Sequence, residues 1–474
     1  MPATVALLVL TSCAVVPRNP RFDYEALAEH DDTAYDLARS LTSEVGSRFA
    51  GTEGDKRAVG WALRTLKEQG FSNVRAEPVT VPVWNRGSIA VELRGSAPRA
   101  LDAVALGGSV PTPDAGIEAA VLSVESVEAL QKLPDAAVRG RIVYFGARIE
   151  RTHDNSGYRK AAPTRRQGPV VAGRKGAASH DSPGQFAVAH VRECRPLRII
   201  PVAVLLRSIG TDTDGPPHTG RVAYEADAPK IPAAALAAAS ADALDAAVAA
   251  GTTRARIAIG SSYGPDAQSA NVIGEIPGAG NEIVLLGAHL DSWDNTPGAN
   301  DDAAGVGIVI AAAKRIASLG RQPARTLRVV LFANEEFGAS GAKAYVKAYA
   351  AELPRHAIAM EADSGSSAVI ELNGWVADAD WAWTRSVATK LTLVPGVNGR
   401  EGGIDVAELR KLGVPELIAT QDATHYFDVH HTAADTVDTL DSAGLSQATT
   451  VFATIAHAAS QRPEAFVRVT PATK

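Results

Sequence analysis

The stretch Gly287–Asp302, "GAHLDSWDNTPGANDD", gathers one histidine and four aspartates directly after an apolar run. His289 and Asp291 form an H-x-D pair at a strand end, where the period of two turns both side chains to one side. A metal-bound imidazole needs a second group to orient it, so His289 is a candidate ligand and Asp291 its orienting neighbour. Asp301 and Asp302 open a helix; one of them can cap it, but two adjacent acids cannot both cap efficiently, which leaves the other to face a cation. Further along, "TLRVVLFAN" ends in Glu335-Glu336. Adjacent glutamates behind an interior strand are poor surface residues, and they can divide the work of metal ligand and general base. "MEADSG" delivers Glu361 and Asp363, and "THYFDVHHTAADTVDTLD" adds His425, His430 and His431. Nitrogen and carboxylate donors without cysteine suit zinc, whereas calcium would call for oxygens only. Enough donors are present for two metals sharing a carboxylate, an arrangement suited to hydrolysis by a metal-activated hydroxide.

The elements that must position these groups are legible as apolar runs. "EIVLLG" (Glu282–Gly287) reads as a buried strand and "AAGVGIVIAAAKRIASLG" (Ala303–Gly320) as a buried helix with a glycine stop. Strand-helix alternation runs from about Arg254 to the end and predicts an α/β domain with helices packed on a sheet. In such sheets ligands bind at the carboxyl ends of the strands, which is where the acids and histidines fall. Upstream, Tyr24–Val45 and Asp55–Gln69 read as helices. From about Val79 short alternating runs punctuated by Gly and Pro predict a β-rich region, and Ala233–Ala250 reads as an Ala-rich helix. Lys160–Pro201 has no steady period and reads as a loop.

With 474 residues and 46% hydrophobic content the chain has material for two or three folded units. Its 47 basic and 53 acidic residues include no basic stripe, which argues against nucleic acid as a partner. "ATVALLVL" (Ala3–Leu10) followed by "TSC" is too short to span a bilayer but matches the apolar core of a secretory signal. The ending "LTSC" resembles a lipobox. It predicts a signal over residues 1–13, lipid attachment at Cys13 and export to the cell envelope, although no Lys or Arg precedes it. The one other cysteine, Cys194, rules out a disulfide framework.

Taken in order, H-x-D (His289–Asp291), G-A-x-D-D (Gly298–Asp302), N-E-E-x-G (Asn334–Gly338), E-x-D-x-G (Glu361–Gly365) and H-T-x-x-D-T (His431–Thr436) resemble the di-zinc exopeptidases, the family that includes bacterial aminopeptidases and glutamate carboxypeptidases. "HLDSWD", "LRSIGTDT" and "PHTG" extend the likeness beyond the site. The resemblance implies a three-layer α/β/α sandwich with a mixed central sheet, interrupted by a β-rich protease-associated domain. The corresponding spans are 20–94 and 251–474 for the peptidase domain and 95–250 for the insert. It further implies two zinc ions per chain, with Asp301 bridging, His289 and Asp363 completing one metal, and Glu336 and His431 the other. His430 is the runner-up to His431, which begins the H-T pattern. Glu335 would be the general base and Asp291 the partner of His289. The implied substrates are dipeptides or short peptides with a free N-terminus, and the implied assembly is a homodimer. Arg400, in "VNGREGGID", is a candidate cation for a substrate carboxylate. A non-catalytic binding protein on the same fold would be expected to have lost ligands or base; here every such position is filled. A single-zinc cyclising transferase is disfavoured by the same completeness.

Overall fold

The structure, a computed structural model, describes residues 27–28, 30–95, 98–176, 202–251 and 253–469. The signal segment, Cys13 and Cys194 lie outside them.

Eight strands form the sheet that carries the site, in the order Ser72–Val81, Ala267–Ile276, Thr326–Phe332, Ile283–His289, His356–Glu361, Glu416–Gln421, Val369–Trp375, Val394–Asn398. The four from Thr326–Phe332 to Glu416–Gln421 run parallel, and antiparallel strands flank them on both sides, so the sheet is mixed as expected. Strands buried on both faces need apolar residues at every position rather than at alternate ones. Ile283–His289, "IVLLGAH", is buried throughout. Val284, Leu286 and Ala288 enter one core and Leu285 the other; Val329 and Leu331 likewise alternate with Val330 and Phe332. The first core is closed by the helices Thr33–Val45, Glu53–Glu68, Ala304–Ser318 and Ser442–Gln461, and the second by Ser340–Ala348 and Ala407–Lys411. Gly287 is held to glycine by close approach, since an added Cβ would sit 2.8 Å from the Phe332 ring.

A second eight-stranded sheet spans Ile89–Ile259 and contains four parallel strands, Ile117–Val124, Arg141–Phe145, Ala203–Arg207 and Ala233–Leu236. It departs from the sequence expectations in three places. Arg254–Ile259, expected to begin the returning α/β part, pairs with Ile89–Arg94 and Ile117–Val124 in this second sheet. The first four residues of the expected Ala233–Ala250 helix form a fully buried strand, and the helix is Ala238–Ala249; a place beside a parallel strand outweighs the helical preference of alanine. Residues 160–176 of the expected loop are helical, in Ser156–Arg166 and Gly168–Gly176. The first of these helices buries Gly157, Ala162 and Arg165 and carries Pro163 inside, so it has no apolar stripe for periodicity to detect. Nearer the N-terminus, a helix spans Thr33–Val45 within the stretch expected over Tyr24–Val45, of which residues 24–26 and 29 lie outside the described residues; the Asp31 carboxylate accepts the Thr33 amide at 2.9 Å.

Phe49, Trp84, Trp293 and Phe337 stack where the two sheets meet; Phe49 and Trp293 lie 5.3 Å apart, nearly parallel, in the same core as Ile117 and Ile257 of the second sheet. Among the described residues no helix is long and apolar enough to cross a membrane.

Candidate metal centre

The parallel strands end at one rim, and each contributes to it. Ile283–His289 ends in the histidine itself, whose Nε2 lies 3.0 Å from Asp301 Oδ1 and 3.7 Å from Asp363 Oδ1. The loop after Thr326–Phe332 supplies Glu335 and Glu336, and the one after His356–Glu361 supplies Asp363. His430 and His431 follow the short helix Tyr426–Val429 beyond Glu416–Gln421. Four of the five expected metal ligands, Asp301, Glu336, Asp363 and His431, line one cleft of about 770 Å³ together with Glu335 and His430, and the fifth, His289, lies buried behind them against Asp301 and Asp363.

The ambiguity between Asp301 and Asp302 resolves along physical lines. Asp302 accepts the Gly305 amide at 3.0 Å and the His289 amide at 3.1 Å, so it caps the buried helix Ala304–Ser318 with both oxygens engaged. Asp301 faces the cleft, its Oδ1 on His289 and its Oδ2 3.3 Å from His431 Nε2 and 3.5 Å from His430 Nε2. The backbone of Asp301 is held by Asp435, whose Oδ2 accepts the Asp301 amide at 3.1 Å while Oδ1 accepts that of Asn300 at 2.7 Å. Of the histidine doublet, His431 reaches two acids, with Nε2 3.1 Å from Glu336 Oε2, whereas His430 reaches only Asp301 and packs its ring against Tyr426 and Phe427. Asp291 orients His289 through its backbone carbonyl, 3.0 Å from Nδ1, rather than through its carboxylate, 3.7 Å away; that carboxylate accepts the Glu335 amide at 3.0 Å.

Asp291, Asp301, Asp302, Glu336, Glu361 and Asp405 are buried together, with Glu335 and Asp363 at their edge. Burial, reinforced by the neighbouring acids, pushes Glu335 up to about 8 and raises Glu336 and Asp405 well above the carboxylate range. Burial likewise drives His431 down to about 4, leaving its imidazole neutral. Asp301 Oδ2, Glu336 Oε1 and both Asp405 oxygens have no hydrogen-bond partner among the described residues. So many buried acids beside the neutral imidazoles of His430 and His431, with acceptor atoms unused, fit a cation, and the donor types fit zinc. Two groupings offer converging ligand atoms within 4.8 Å of one another: Asp301 with His430 and His431, and His289 with Asp302 and Asp363.

Four contributors, all arginines, carried no sequence signal. Arg48 is fully buried beneath the site and donates to the carbonyls of Leu290 (2.6 Å), Pro297 and Gly298 (3.0 Å), bracing the loop between His289 and Asp301. A lone arginine in a turn-rich segment some 250 residues away along the chain gives no hint of that pairing. Arg165, Arg166 and Arg221, which follow from the second sheet, also line the cleft. Arg400 lines it as well, but its guanidinium is taken up by Glu371 at 3.0 Å and the Asp154 carbonyl at 3.2 Å.

A carboxylate-histidine centre at the carboxyl rim of a mixed sheet, with an open cleft above it, fits the class of metal-dependent hydrolases, which the comparisons with known proteins narrow to the metallo-exopeptidases. The sequence profile of Peptidase family M28 matches residues 271–456. Carboxypeptidase Q from Mus musculus is 30% identical over 445 residues, covering 93% of this chain and 88% of that one. The human carboxypeptidase Q is 29% identical over 440 residues, 92% and 87% of the two chains. A crystal structure described as a Peptidase M28 precursor from Shewanella amazonensis SB2B is 38% identical and superposes with a TM-score of 0.86 over 95% of this chain and 98% of that one. The zinc aminopeptidase of Bacillus subtilis shares the fold at 20% identity, with a TM-score of 0.61 over 92% and 98%. The chain belongs to peptidase family M28.

Proposed function

We propose that the chain hydrolyses dipeptides or short peptides with two zinc ions, one held by His289, Asp301 and Asp363 and the other by Asp301, Glu336 and His431. The observation that carries this reading is the Asp301 carboxylate, whose two oxygens face His289 on one side and His431 on the other. Zinc bound by such a set supplies Lewis acidity and makes water nucleophilic near neutral pH. Glu335, beside these ligands and fixed through its backbone by Asp291, takes the proton of the attacking water on its carboxylate and passes it to the leaving amine. We read His431 rather than His430 as the ligand because it alone contacts a second acid of the set. His431→Ala is expected to leave one zinc ion per chain after dialysis, and His430→Ala two, by metal analysis. The reverse pattern would exchange the roles.

The choice of substrate follows from the cations of the cleft. Arg400 and Arg410 are paired with Glu371 (3.0 Å) and Glu416 (2.6 Å), and Arg165 donates to Tyr158 and the Thr219 carbonyl. Arg166 and Arg221 line the same cleft, and neither guanidinium has an acid hydrogen-bonded to it among the described residues, although Arg221 feels the Glu335 carboxylate as well as Arg166. Two adjacent guanidiniums suit a peptide's C-terminal carboxylate. A dipeptide is therefore expected to be cleaved in preference to its C-terminal amide. Arg221→Ala should raise KM for the free acid about 10- to 100-fold, the worth of a charged hydrogen bond, and raise KM for the amide far less. Equal cleavage of acid and amide would point to recognition through the amino end alone. We also propose that the second sheet, spanning Ile89–Ile259, is the inserted protease-associated domain.

A further inference from the structure

"LRSIGTDT" and "PHTG" lie in the second sheet's part of the chain, outside the reaction described above, yet both lie against the histidine loop. Thr211 donates its amide to the Phe427 carbonyl at 2.9 Å and its hydroxyl to Asp428 at 2.7 Å. His218, fully buried, sits between two oxygen acceptors: Nδ1 lies 2.7 Å from the backbone carbonyl of His430 and Nε2 2.6 Å from Asp212 Oδ1. Both ring nitrogens are thereby engaged. The next residue, Thr219, donates its amide to the His431 carbonyl at 3.0 Å. Gly210 is required by this packing, since an added Cβ would fall 2.1 Å from His218 Nε2.

The peptide units on either side of the His431 Cα are thus both held from outside the peptidase sheet. His431 needs that support: its φ is +63°, in the left-handed region that side-chain-bearing residues enter at a cost and keep only when their surroundings enforce it. From this we infer that Asp212 and His218 are positioning residues of the metal centre, fixing the backbone that aims His431, so that the second sheet completes a zinc site whose ligands all come from the first. The inference rests on the reading of His431 as a ligand.

The test is zinc affinity, by chelator competition on the full-length Asp212→Asn and His218→Ala variants, with thermal unfolding of the metal-free proteins measured alongside. Asp212 is partly exposed, so its substitution keeps the experiment informative should His218→Ala fold poorly. One of the two zinc ions is expected to bind about 10- to 100-fold more weakly in Asp212→Asn, the usual effect of losing a group that orients a ligand, and excess zinc should restore most of the kcat. A lowered melting temperature with unchanged zinc affinity would overturn the inference and leave the pair merely structural. Wild-type protein that holds no zinc at all would overturn both this inference and the functional reading beneath it.

Discussion

Glu335→Gln is expected to slow peptide hydrolysis by about 10²- to 10⁴-fold, the usual worth of a positioned general base, while bound zinc stays near the wild-type amount. The substitution preserves shape and the backbone hydrogen bond to Asp291, and removes only the ability to take a proton. Its neighbour provides the contrast. Glu336 contacts His431 at 3.1 Å, so Glu336→Gln should lose metal as well as turnover. Metal analysis together with kcat separates the two glutamates, and equal metal loss from Glu335→Gln would refute its assignment as base.

The second large effect falls on stability. Arg48 is fully buried, gives three hydrogen bonds to carbonyls of the Leu290–Gly298 loop, and is the cation that Asp291, Asp301, Asp302 and Asp435 feel from below. Arg48→Met keeps much of the volume but strands those carbonyls and withdraws the charge. Removing one side of a buried charged network costs about 3–5 kcal/mol, a large share of the roughly 5–15 kcal/mol that holds a folded domain. The expected result is a clearly lower denaturation midpoint for the metal-free protein, with part of the loss recovered when zinc is added, because a cation then again faces the acids. A change below about 1 kcal/mol would mean that water replaces the guanidinium at little cost.

The site was readable in the sequence to the extent that its chemistry coincides with strand ends. His289, Glu335, Glu336 and Asp363 each follow an apolar run whose burial on both faces is evident from composition, and the order of the runs matches the order of the groups. What could not be read is what depends on contacts between distant segments. Nothing local distinguishes Asp302, the helix cap, from Asp301, the acid that faces the cleft; the choice is made by the amides of His289 and Gly305. Arg48 looks like a turn residue until the chain has folded back some 250 positions. The Ala233–Leu236 strand is too short and too alanine-rich to compete with a helical reading until a parallel neighbour is supplied. Arg400 was the candidate cation for a substrate carboxylate, but Glu371 claims it, and Arg166, which has no acid hydrogen-bonded to it among the described residues, comes from the stretch where sequence patterning was weakest.

The most direct measurement is zinc content per chain on purified protein, taken with hydrolysis of a small dipeptide panel before and after treatment with a chelator. Two zinc ions per chain, with cleavage abolished by the chelator and restored by zinc, is the predicted result. Protein that retains no zinc and cleaves none of the panel, even after zinc is added back, would contradict the account and favour a binding protein that has kept the fold without the chemistry.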